Sequence, residues 1–235
     1  MQESKYTILI PCFNEDSTIL KVVSEIYEKN QLVDILLIDD GSTDNFKNID
    51  FTPYAKRLKV ITHHTNLGKG AAIKTGLKEI NKKDPSSKVI LFDADNEIES
   101  EAITRIINYF FENEGVQIIY GSRYLGNKLS KNLSSGFLRL VANKILTGIV
   151  NFKFNLRLTD METAVKSFTI NLIDERDLIS DGFEIEPEIT IQLSKTGEDI
   201  HEIPIQYKAR SKKEGKKISF KDGVKTLIYL LKNAN

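Results

Sequence analysis

Three carboxylates follow one short apolar run at two-residue spacing, within the stretch LFDADNEIES at residues 91–100. They belong to Asp93, Asp95 and Glu97. Because like charges held a few ångströms apart repel one another, such a group costs free energy unless a cation neutralises it. Carboxylate oxygens are the ligands that Mg²⁺ and Mn²⁺ favour. The spacing therefore predicts a divalent-metal site, with a solvated acidic turn at a strand end as the alternative.

Acidic side chains also end two earlier apolar runs. Glu15 follows the first run, in IPCFNED, and Asp39 and Asp40 end the next, in LIDDGSTD. Carboxylates at such strand ends can accept hydrogen bonds from ribose hydroxyls and from the N–H groups of a base. A tight turn closed by an Asx or Ser side-chain hydrogen bond is the alternative.

Lys69 lies in the glycine-containing stretch NLGKGAA, residues 66–72, at the start of an expected helix. Amide groups at a helix N-terminus are suited to bind phosphate. The Walker A pattern is absent, however. Close packing of the helix against a strand is therefore an alternative role for the glycines.

Apolar periodicity in the first half of the chain alternates between strand and helix. The expected strands cover 6–11, 33–40, 58–64, 88–95 and 116–122, and the expected helices cover 17–30, 68–83 and 100–113. This alternation predicts an α/β domain with a mostly parallel sheet flanked by helices. Ligands bind at the carboxyl ends of the strands in such sheets, where the polar motifs lie.

The second half is less regular. Helices are expected at 133–150, 187–197 and 219–233, and a strand at 198–210 contains a proline that favours a sheet edge. The first of these helices is predicted to be amphipathic. Its apolar face consists of Phe137, Leu138, Val141, Ile145 and Ile149, and a separate face carries Arg139, Asn143 and Thr147.

The composition limits the cellular context and the partners. The 33 Lys and Arg balance the 33 Asp and Glu, which argues against bulk attraction to nucleic acid. The single cysteine, Cys12, cannot form an internal disulfide and fits a reducing, cytoplasmic compartment. The N-terminal residues do not resemble a signal peptide. No stretch reaches the roughly 18 apolar residues that a transmembrane helix needs.

Positive charge is nevertheless concentrated locally. Residues 115–159 contain no carboxylate and carry seven Lys and Arg. Together with the amphipathic helix, this segment predicts a surface that contacts anionic lipid headgroups. The alternative is that the apolar face packs on the domain, or on a second copy of the chain, while the basic residues are simply solvated.

The motifs are PCFNE, DDGSTD, NLGKGAA, DADNE, GSR, TDMETAVK, GFEIEPEI and IPIQYKAR…EGKK. In this order they resemble family 2 glycosyltransferases, and the nearest branch contains the dolichol- and polyprenyl-phosphate mannosyl- and glucosyltransferases. The resemblance runs from about residue 6 to residue 225. It implies a single GT-A-type domain over 1–235 with a Rossmann-like sheet. The nucleotide-binding part would cover about 1–123, and an acceptor- and membrane-facing part about 124–235.

The resemblance also implies roles for individual residues. Asp93 and Asp95 would hold Mg²⁺ or Mn²⁺ against the donor diphosphate, with help from Glu97, where relatives have Gln. The donor nucleotide would contact Pro11, Glu15, Asp39, Asp40, Lys69, Asp93 and Ala94. Arg123 and Arg210 match positions near the donor or acceptor phosphate, to which a forked guanidinium is well suited.

The expected catalytic residues are Asp95, Asp160 and Arg210. An acceptor phosphate is already a nucleophile and needs no general base. A hydroxyl acceptor does need one, and Asp160 or Glu162 of TDMET are the candidates. Acids that only cap a loop are the alternative for both residues.

The resemblance implies an inverting, metal-dependent enzyme that moves a hexose from a GDP- or UDP-linked sugar to a lipid-linked acceptor such as polyprenyl phosphate. A diacylglycerol or soluble hydroxyl acceptor is an alternative. A sugar nucleotidyltransferase is another, although its GxGxR loop is absent after the first strand. A non-catalytic nucleotide-sugar-binding protein is a third. We expect a cytoplasmic protein that contacts the inner face of the membrane peripherally, and the oligomeric state stays open.

Overall fold

A seven-stranded sheet forms the centre of the computed structural model, which describes residues 5–82, 85–125, 137–208, 210 and 220–233. Side chains are described in these ranges except at 137–139 and 220–222. The strands are β1 Tyr6–Cys12, β2 Val33–Asp39, β3 Leu58–Thr62, β4 Lys88–Leu91, β5 Ile118–Ser122, β6 Lys166–Thr169 and β7 Ile200–Pro204. The α-helices in these ranges are α1 Ile19–Lys29, α2 Lys69–Ile80, α3 Glu101–Glu112, α4 Phe137–Phe154, α5 Ile185–Ser194 and α6 Phe220–Asn233.

The strand order across the sheet is β3-β2-β1-β4-β6-β5-β7. Parallel pairs join β1 to β2 and β4, β2 to β3, and β5 to β7. β6 is antiparallel to both of its neighbours, β4 and β5. The expected mostly parallel sheet is therefore confirmed. β7 lies at an edge of the sheet, as its proline predicted.

Apolar side chains pack on both faces of the sheet. Ile8 and Ile10 of β1 face one cluster, which contains residues of α1 and α3. Leu9 faces a second cluster with residues of α2, α4 and α5. This alternation follows from the two-residue period of a strand. Burial on both faces explains why the central parallel strands are almost continuously apolar.

The carboxyl ends of β1, β2, β4 and β5 all lie along the same side of the sheet, which we call its carboxyl edge. β5 runs in the same direction as β4 because β6, between them, is antiparallel to both. The loops after Cys12, Asp39, Leu91 and Ser122 therefore meet at this edge. The fold thus brings together polar motifs that are far apart in the sequence.

The faces of α4 are reversed relative to the expectation. Asn143 and Thr147 are buried, whereas Val141 and Ile145 are 37% and 56% exposed. Inside the protein, Asn143 Nδ2 donates to Asp160 Oδ1 at 2.9 Å, and the Thr147 hydroxyl donates to Asn143 Oδ1 at 2.8 Å. Because these bonds satisfy the polar groups internally, the helix can turn its polar residues inward.

Leu146 and Val150 supply the fully or nearly buried apolar contacts of α4. Ile149 is half-buried, and the side chains of Phe137, Leu138 and Arg139 lie outside the described ones. The exposed apolar residues of α4 are thus not packed on the domain. In the described part of the chain, no helix combines the length and the apolar character needed to span a bilayer.

Candidate active site

A cleft of about 300 Å³ opens at the carboxyl ends of β1, β2 and β4. Its walls come from the loops after these strands, the start of α2 and the segment after β7. The predicted site residues that line it are Pro11, Glu15, Asp40, Lys69, Asp93, Ala94, Asp95, Glu97 and Arg210. The sheet therefore gathers most of the predicted donor and metal residues around one space. Asp39, Arg123 and Asp160 are not among the lining residues.

Lys69 lies between two carboxylates. Its Nζ is 2.8 Å from Asp93 Oδ1 and 2.8 Å from Glu186 Oε1. The other oxygen of Glu186 accepts a hydrogen bond from the fully buried Lys166. Burial alone would raise the pKa of Glu186, but the charges of Lys166 and Lys69 outweigh it and lower the pKa to about 2. Glu186 is therefore an ionised, buried anchor for Lys69.

Arg210 makes the corresponding contacts with Glu15 and Asp95. Its Nη1 and Nη2 donate to the two oxygens of Glu15 at 2.8 and 2.9 Å. Nη2 also lies 3.4 Å from Asp95 Oδ2, and Nε lies 3.7 Å from Glu97 Oε1. Two-point contacts between a guanidinium and a carboxylate are strong and directional. Glu15, expected to contact the nucleotide, is thus bound to Arg210.

Glu97 is engaged on both of its oxygens. The Tyr207 hydroxyl donates to Oε2 at 2.6 Å, and the backbone N–H of Arg210 donates to Oε1 at 2.7 Å. These bonds tie the Asp95 loop to the segment after β7. They favour Asp93 and Asp95 over Glu97 as metal ligands.

The donor set at Asp93 and Asp95 fits Mg²⁺ or Mn²⁺. No group of three or more metal-ligating side chains converges within the described ranges. Mg²⁺ is commonly held by only one or two carboxylates together with substrate phosphates, so two aspartates at the rim of a cleft are sufficient. Burial, with the charges of Asp93 and Glu97, raises the pKa of Asp95 to about 7. A bound cation would relieve that cost.

Asp39 and Asp40 have different surroundings. Asp39 is buried and accepts the Ser42 N–H at 3.0 Å, which closes the turn after β2. Asp40 accepts the N–H groups of Leu67 and Gly68 at 3.0 and 2.8 Å. The ring Nδ1 of His63 is also 2.7 Å from Asp40. Asp40 therefore fixes the loop before α2 as well as lining the cleft.

The first amides of α2 are likewise engaged within the protein. The N–H groups of Gly70 and Ala71 donate to the carbonyl of Asp181 at 2.7 and 3.3 Å. Gly68 has a φ of +105° and lies against the same carbonyl. The glycines thus allow close approach to the loop at 181, rather than to a strand, and Lys69 is the charged group that this stretch directs to the cleft.

Arg123 and Asp160 pair with each other. Arg123 Nε and Nη2 donate to the two oxygens of Asp160 at 2.7 Å each. Burial would raise the pKa of Asp160, but Arg123 and Asn143 outweigh it and lower the pKa. A fully buried carboxylate held in this way is poorly placed to take a proton from an acceptor.

Glu162, the other candidate base, has the opposite character. Its Oε1 is buried and lacks a hydrogen-bond partner among the described residues. Burial is the main cause that raises its pKa to about 7. A carboxyl group with this pKa can exchange a proton near neutral pH.

Sequence reasoning missed three residues of this site. Phe183 lines the cleft, Glu186 anchors Lys69, and Tyr207 binds Glu97. The available signal was the stretch GFEIEPEI, in which acids interrupt an apolar helix. An acid on the buried side of a helix requires a partner, and here the partner is a lysine from another element.

The family model described as glycosyl transferase family 2 matches residues 7–176. A seven-stranded α/β sheet with an acidic cleft at the carboxyl ends of its strands is suited to bind a ligand there, and the match assigns the chain to a family of transferases. The chain belongs to glycosyl transferase family 2 and is a glycosyltransferase. The nucleotidyltransferase and non-catalytic alternatives are not supported by this match.

Relatives with functional names match over most of this chain. A UDP-N-acetylglucosamine–dolichyl-phosphate N-acetylglucosaminyltransferase of Methanococcus voltae is 26% identical over 223 residues, which cover 88% of this chain and 86% of that protein. A polyprenol monophosphomannose synthase of Mycolicibacterium smegmatis is 24% identical over 209 residues, covering 86% and 77%. The glycosyltransferase AglJ of Haloferax volcanii is 26% identical over 203 residues, covering 86% and 63%. The expected resemblance to the polyprenyl-phosphate branch is confirmed.

Solved structures share the fold. Glucosyl-3-phosphoglycerate synthase of Mycobacterium tuberculosis superposes with a TM-score of 0.65 at 16% identity, covering 97% of this chain and 79% of that one. A mannosyltransferase of Pyrobaculum calidifontis, solved with GDP-mannose and Mn²⁺, gives 0.56 at 13% identity, covering 85% and 55%. The expected GT-A-type fold is confirmed.

Proposed function

We propose that this enzyme transfers a hexose from a GDP- or UDP-linked sugar to a polyprenyl- or dolichyl-phosphate acceptor, with Mg²⁺ or Mn²⁺ as cofactor. The observation that carries the proposal is the cleft in which Asp93 and Asp95 lie beside Lys69 and Arg210. The names of two relatives, from Methanococcus voltae and Mycolicibacterium smegmatis, support a lipid-phosphate acceptor.

The residues of the cleft suit the chemistry of this transfer. An acceptor oxygen forms a bond to the anomeric carbon while the bond from that carbon to the diphosphate oxygen breaks. The electron pair stays on the diphosphate, where negative charge accumulates. Lys69 and Arg210 stabilise that charge more in the transition state than in the ground state. A divalent ion held by Asp93 and Asp95 supplies further electrostatic stabilisation when bound.

The two parts of the chain have different roles in this proposal. Residues 1–123 supply most of the donor side, including Pro11, Glu15, Asp40 and Ala94, with Asp39 closing the turn beside them. Residues 124–235 supply the acceptor side and Arg210. Arg123 lies at the end of β5, where the two parts meet, next to the aromatic rings of Tyr124 and Tyr207.

A hydroxyl acceptor is a second candidate, and Glu162 is the observation that favours it. A hydroxyl group must lose its proton as it attacks, and a carboxyl group with a pKa of about 7 can accept it near neutral pH. A phosphate acceptor makes no such demand. The two candidates therefore differ in whether Glu162 is needed.

Peripheral contact with the inner face of the membrane completes the proposal. α4 and α6 pack against each other, and both present apolar side chains to the outside. These are Val141, Ile145 and Phe152 of α4, and Val224, Ile228 and Leu231 of α6, between 37% and 89% exposed. The exposed Lys144, Lys153, Lys225 and Lys232 lie on the same helices. Apolar groups with surrounding lysines match an anionic lipid surface.

A direct assay tests the proposed reaction. Purified protein with Mn²⁺ is offered UDP-N-acetylglucosamine, UDP-glucose or GDP-mannose, together with dolichyl or undecaprenyl phosphate in detergent. We expect one donor to yield a nucleoside diphosphate and an equal amount of lipid-linked sugar, measured by mass spectrometry. Asp95→Asn should abolish product while retaining the fold, and the exposed Asp199→Asn serves as control. Full activity in EDTA would exclude a metal requirement. Release of nucleoside diphosphate without a lipid-linked product would exclude the polyprenyl- or dolichyl-phosphate acceptor.

A further inference from the structure

Each of the two metal-ligand candidates faces a side-chain cation that a second carboxylate also holds. Asp93 faces Lys69, which Glu186 holds at 2.8 Å. Asp95 faces Arg210, which Glu15 holds through two hydrogen bonds at 2.8 and 2.9 Å. We call Lys69 and Arg210 the resident cations, and Glu15 and Glu186 the anchor carboxylates.

The anchor contact of Arg210 is stronger than its contact with the metal-ligand candidate. Two parallel hydrogen bonds join Arg210 to Glu15, whereas a single contact of 3.4 Å joins it to Asp95. Glu15 is only 6% exposed, so water and salt screen the attraction between Glu15 and Arg210 only weakly. If Asp95 exchanges its partner, Arg210 therefore stays beside the cleft.

The anchor carboxylates come from separate parts of the fold. Glu15 belongs to the loop after β1, and Glu186 belongs to the first turn of α5. Glu186 is 4% exposed and is fixed from its other side by Lys166. Neither anchor needs to move for Asp93 or Asp95 to accept a different cation.

We propose that Glu15 and Glu186 are positioning residues that hold the resident cations against Asp95 and Asp93 until a divalent ion and the donor diphosphate replace those contacts. This inference rests on the proposed metal-assisted transfer. A divalent ion alone must compete with the resident cations for the same carboxylate oxygens. A diphosphate that arrives with it offers the displaced cations new partners. Metal and donor therefore bind cooperatively.

Mn²⁺ titrations followed by electron paramagnetic resonance, without nucleotide, test the competition. Arg210→Gln removes the competing charge and should tighten Mn²⁺ binding about tenfold, within the range typical of coupling between two sites. Arg210→Lys keeps the charge but loses the two-point contact with Glu15, so it should tighten Mn²⁺ binding clearly less than Arg210→Gln does. Arg105→Gln, which removes a half-buried arginine of α3 that pairs with Glu99, should change nothing.

Glu15→Gln tests the anchor itself. It leaves the arginine charge in place, with Asp95 and Glu97 as its remaining carboxylate contacts, so nucleotide-free Mn²⁺ binding should be no tighter than in wild type. The gain in Mn²⁺ affinity that UDP or GDP produces should fall by about fivefold, because Arg210 is no longer held at the diphosphate. Lys69→Gln removes the cation that faces Asp93, so like Arg210→Gln it should tighten nucleotide-free Mn²⁺ binding about tenfold. It decides the matter if Arg210→Gln does not fold.

The outcomes separate this inference from the proposed function. Mn²⁺ binding that survives Asp95→Asn would contradict the metal site, and with it the proposed function. Mn²⁺ binding that depends on Asp95 but is no tighter in Arg210→Gln, or is equally tightened in Arg210→Lys, would overturn the role of the resident cations alone. If UDP or GDP raises the Mn²⁺ affinity of Glu15→Gln as much as that of wild type, the anchor role is overturned.

Discussion

Arg123 and Asp160 form a buried ion pair that joins the end of β5 to the loop before β6. Two side-chain hydrogen bonds of 2.7 Å connect them, and the backbone N–H of Arg123 donates to the same carboxylate at 3.1 Å. Asn143 of α4 adds a further bond to Asp160. Asp160, a candidate base by sequence, is thus bound by three groups of its own fold.

Asp160→Asn is expected to destabilise the protein. Removing one charge from a buried ion pair costs roughly 3–5 kcal/mol of unfolding free energy, because the partner is left buried and uncompensated. Urea unfolding measures the loss. Asp174→Asn, in the exposed pair with Arg176, is the matched control and should leave the urea midpoint unchanged. An unaltered Asp160→Asn midpoint would contradict the structural role.

The pH dependence of stability checks the same pair. Because the folded-state pKa of Asp160 is lowered, its contribution to stability is present above the unfolded pKa of about 4. It is lost as the pH falls through the folded pKa. Wild type should therefore lose more stability than Asp160→Asn below about pH 4.

The close backbone contact at Gly70 predicts a second effect on stability. A Cβ at this position would lie 2.3 Å from the carbonyl oxygen of Ser180, a backbone atom that cannot easily yield. Gly70→Ala should lower the unfolding free energy by about 1–3 kcal/mol. Gly148→Ala in α4 meets nothing within 4 Å and should stabilise by up to about 1 kcal/mol. Thermal unfolding compares them, and an equal effect of both substitutions would refute the close contact at Gly70.

Much of the fold and of the cleft was predictable because the information is local. β1 and β2 are continuous apolar runs, and helical spacing located α1 and α3 to within a few residues. Parallel strands end at a common edge, so the acids after them had to meet. This geometrical rule, rather than any single motif, placed Asp40 and Asp93 in one cleft.

Contacts between distant segments were not predictable. β6 has four residues, KSFT, and its buried Lys166 forms an ion pair with Glu186 of α5. The pairing of Arg210 with Glu15 joins residues nearly at opposite ends of the described chain. The reversed faces of α4 depend on Asp160, which binds Asn143 from outside the helix. The local pattern of apolar and polar residues in the sequence does not identify any of these partners.

Glu162 is expected to be dispensable for transfer to a lipid phosphate. Glu162→Gln should keep the rate within about threefold, because a phosphate nucleophile needs no base. Loss of a general base would instead cost about 10²- to 10⁴-fold. The rate of sugar transfer from pH 5.5 to 8.5 is measured for wild type and variant. A loss of that size, with a wild-type rate that rises through pH 7, would favour the hydroxyl acceptor.

Stability gives a separate readout for Glu162, independent of the acceptor. Burial raises its folded pKa to about 7, above the unfolded value of about 4.3. The folded state then binds the proton more tightly, so the unfolding free energy falls as the pH rises between these two values. Glu162→Gln should remove this part of the pH dependence. An identical slope in both proteins would show that Glu162 is not perturbed.

Membrane binding through α4 is the last prediction. Wild type should sediment with liposomes that contain phosphatidylglycerol but not with neutral phosphatidylcholine liposomes. Phe152→Asp removes an aromatic side chain of α4 that is 89% exposed and should abolish this binding. Phe111→Asp, which changes a 62% exposed phenylalanine on α3, is the matched control and should bind like wild type.

Substitutions of the α4 lysines distinguish between two partners for the exposed face of α4, a lipid surface and a second copy of the chain. Lys144→Glu with Lys153→Glu should weaken liposome binding at least 30-fold, because each lysine near an anionic surface contributes about 1 kcal/mol. Lys128 and Lys131, which belong to the same acid-free segment, lie outside the described residues. If wild type fails to bind anionic liposomes at low salt, and Phe152→Asp converts a dimer to a monomer in analytical ultracentrifugation, then the face is a protein interface and the membrane assignment is wrong.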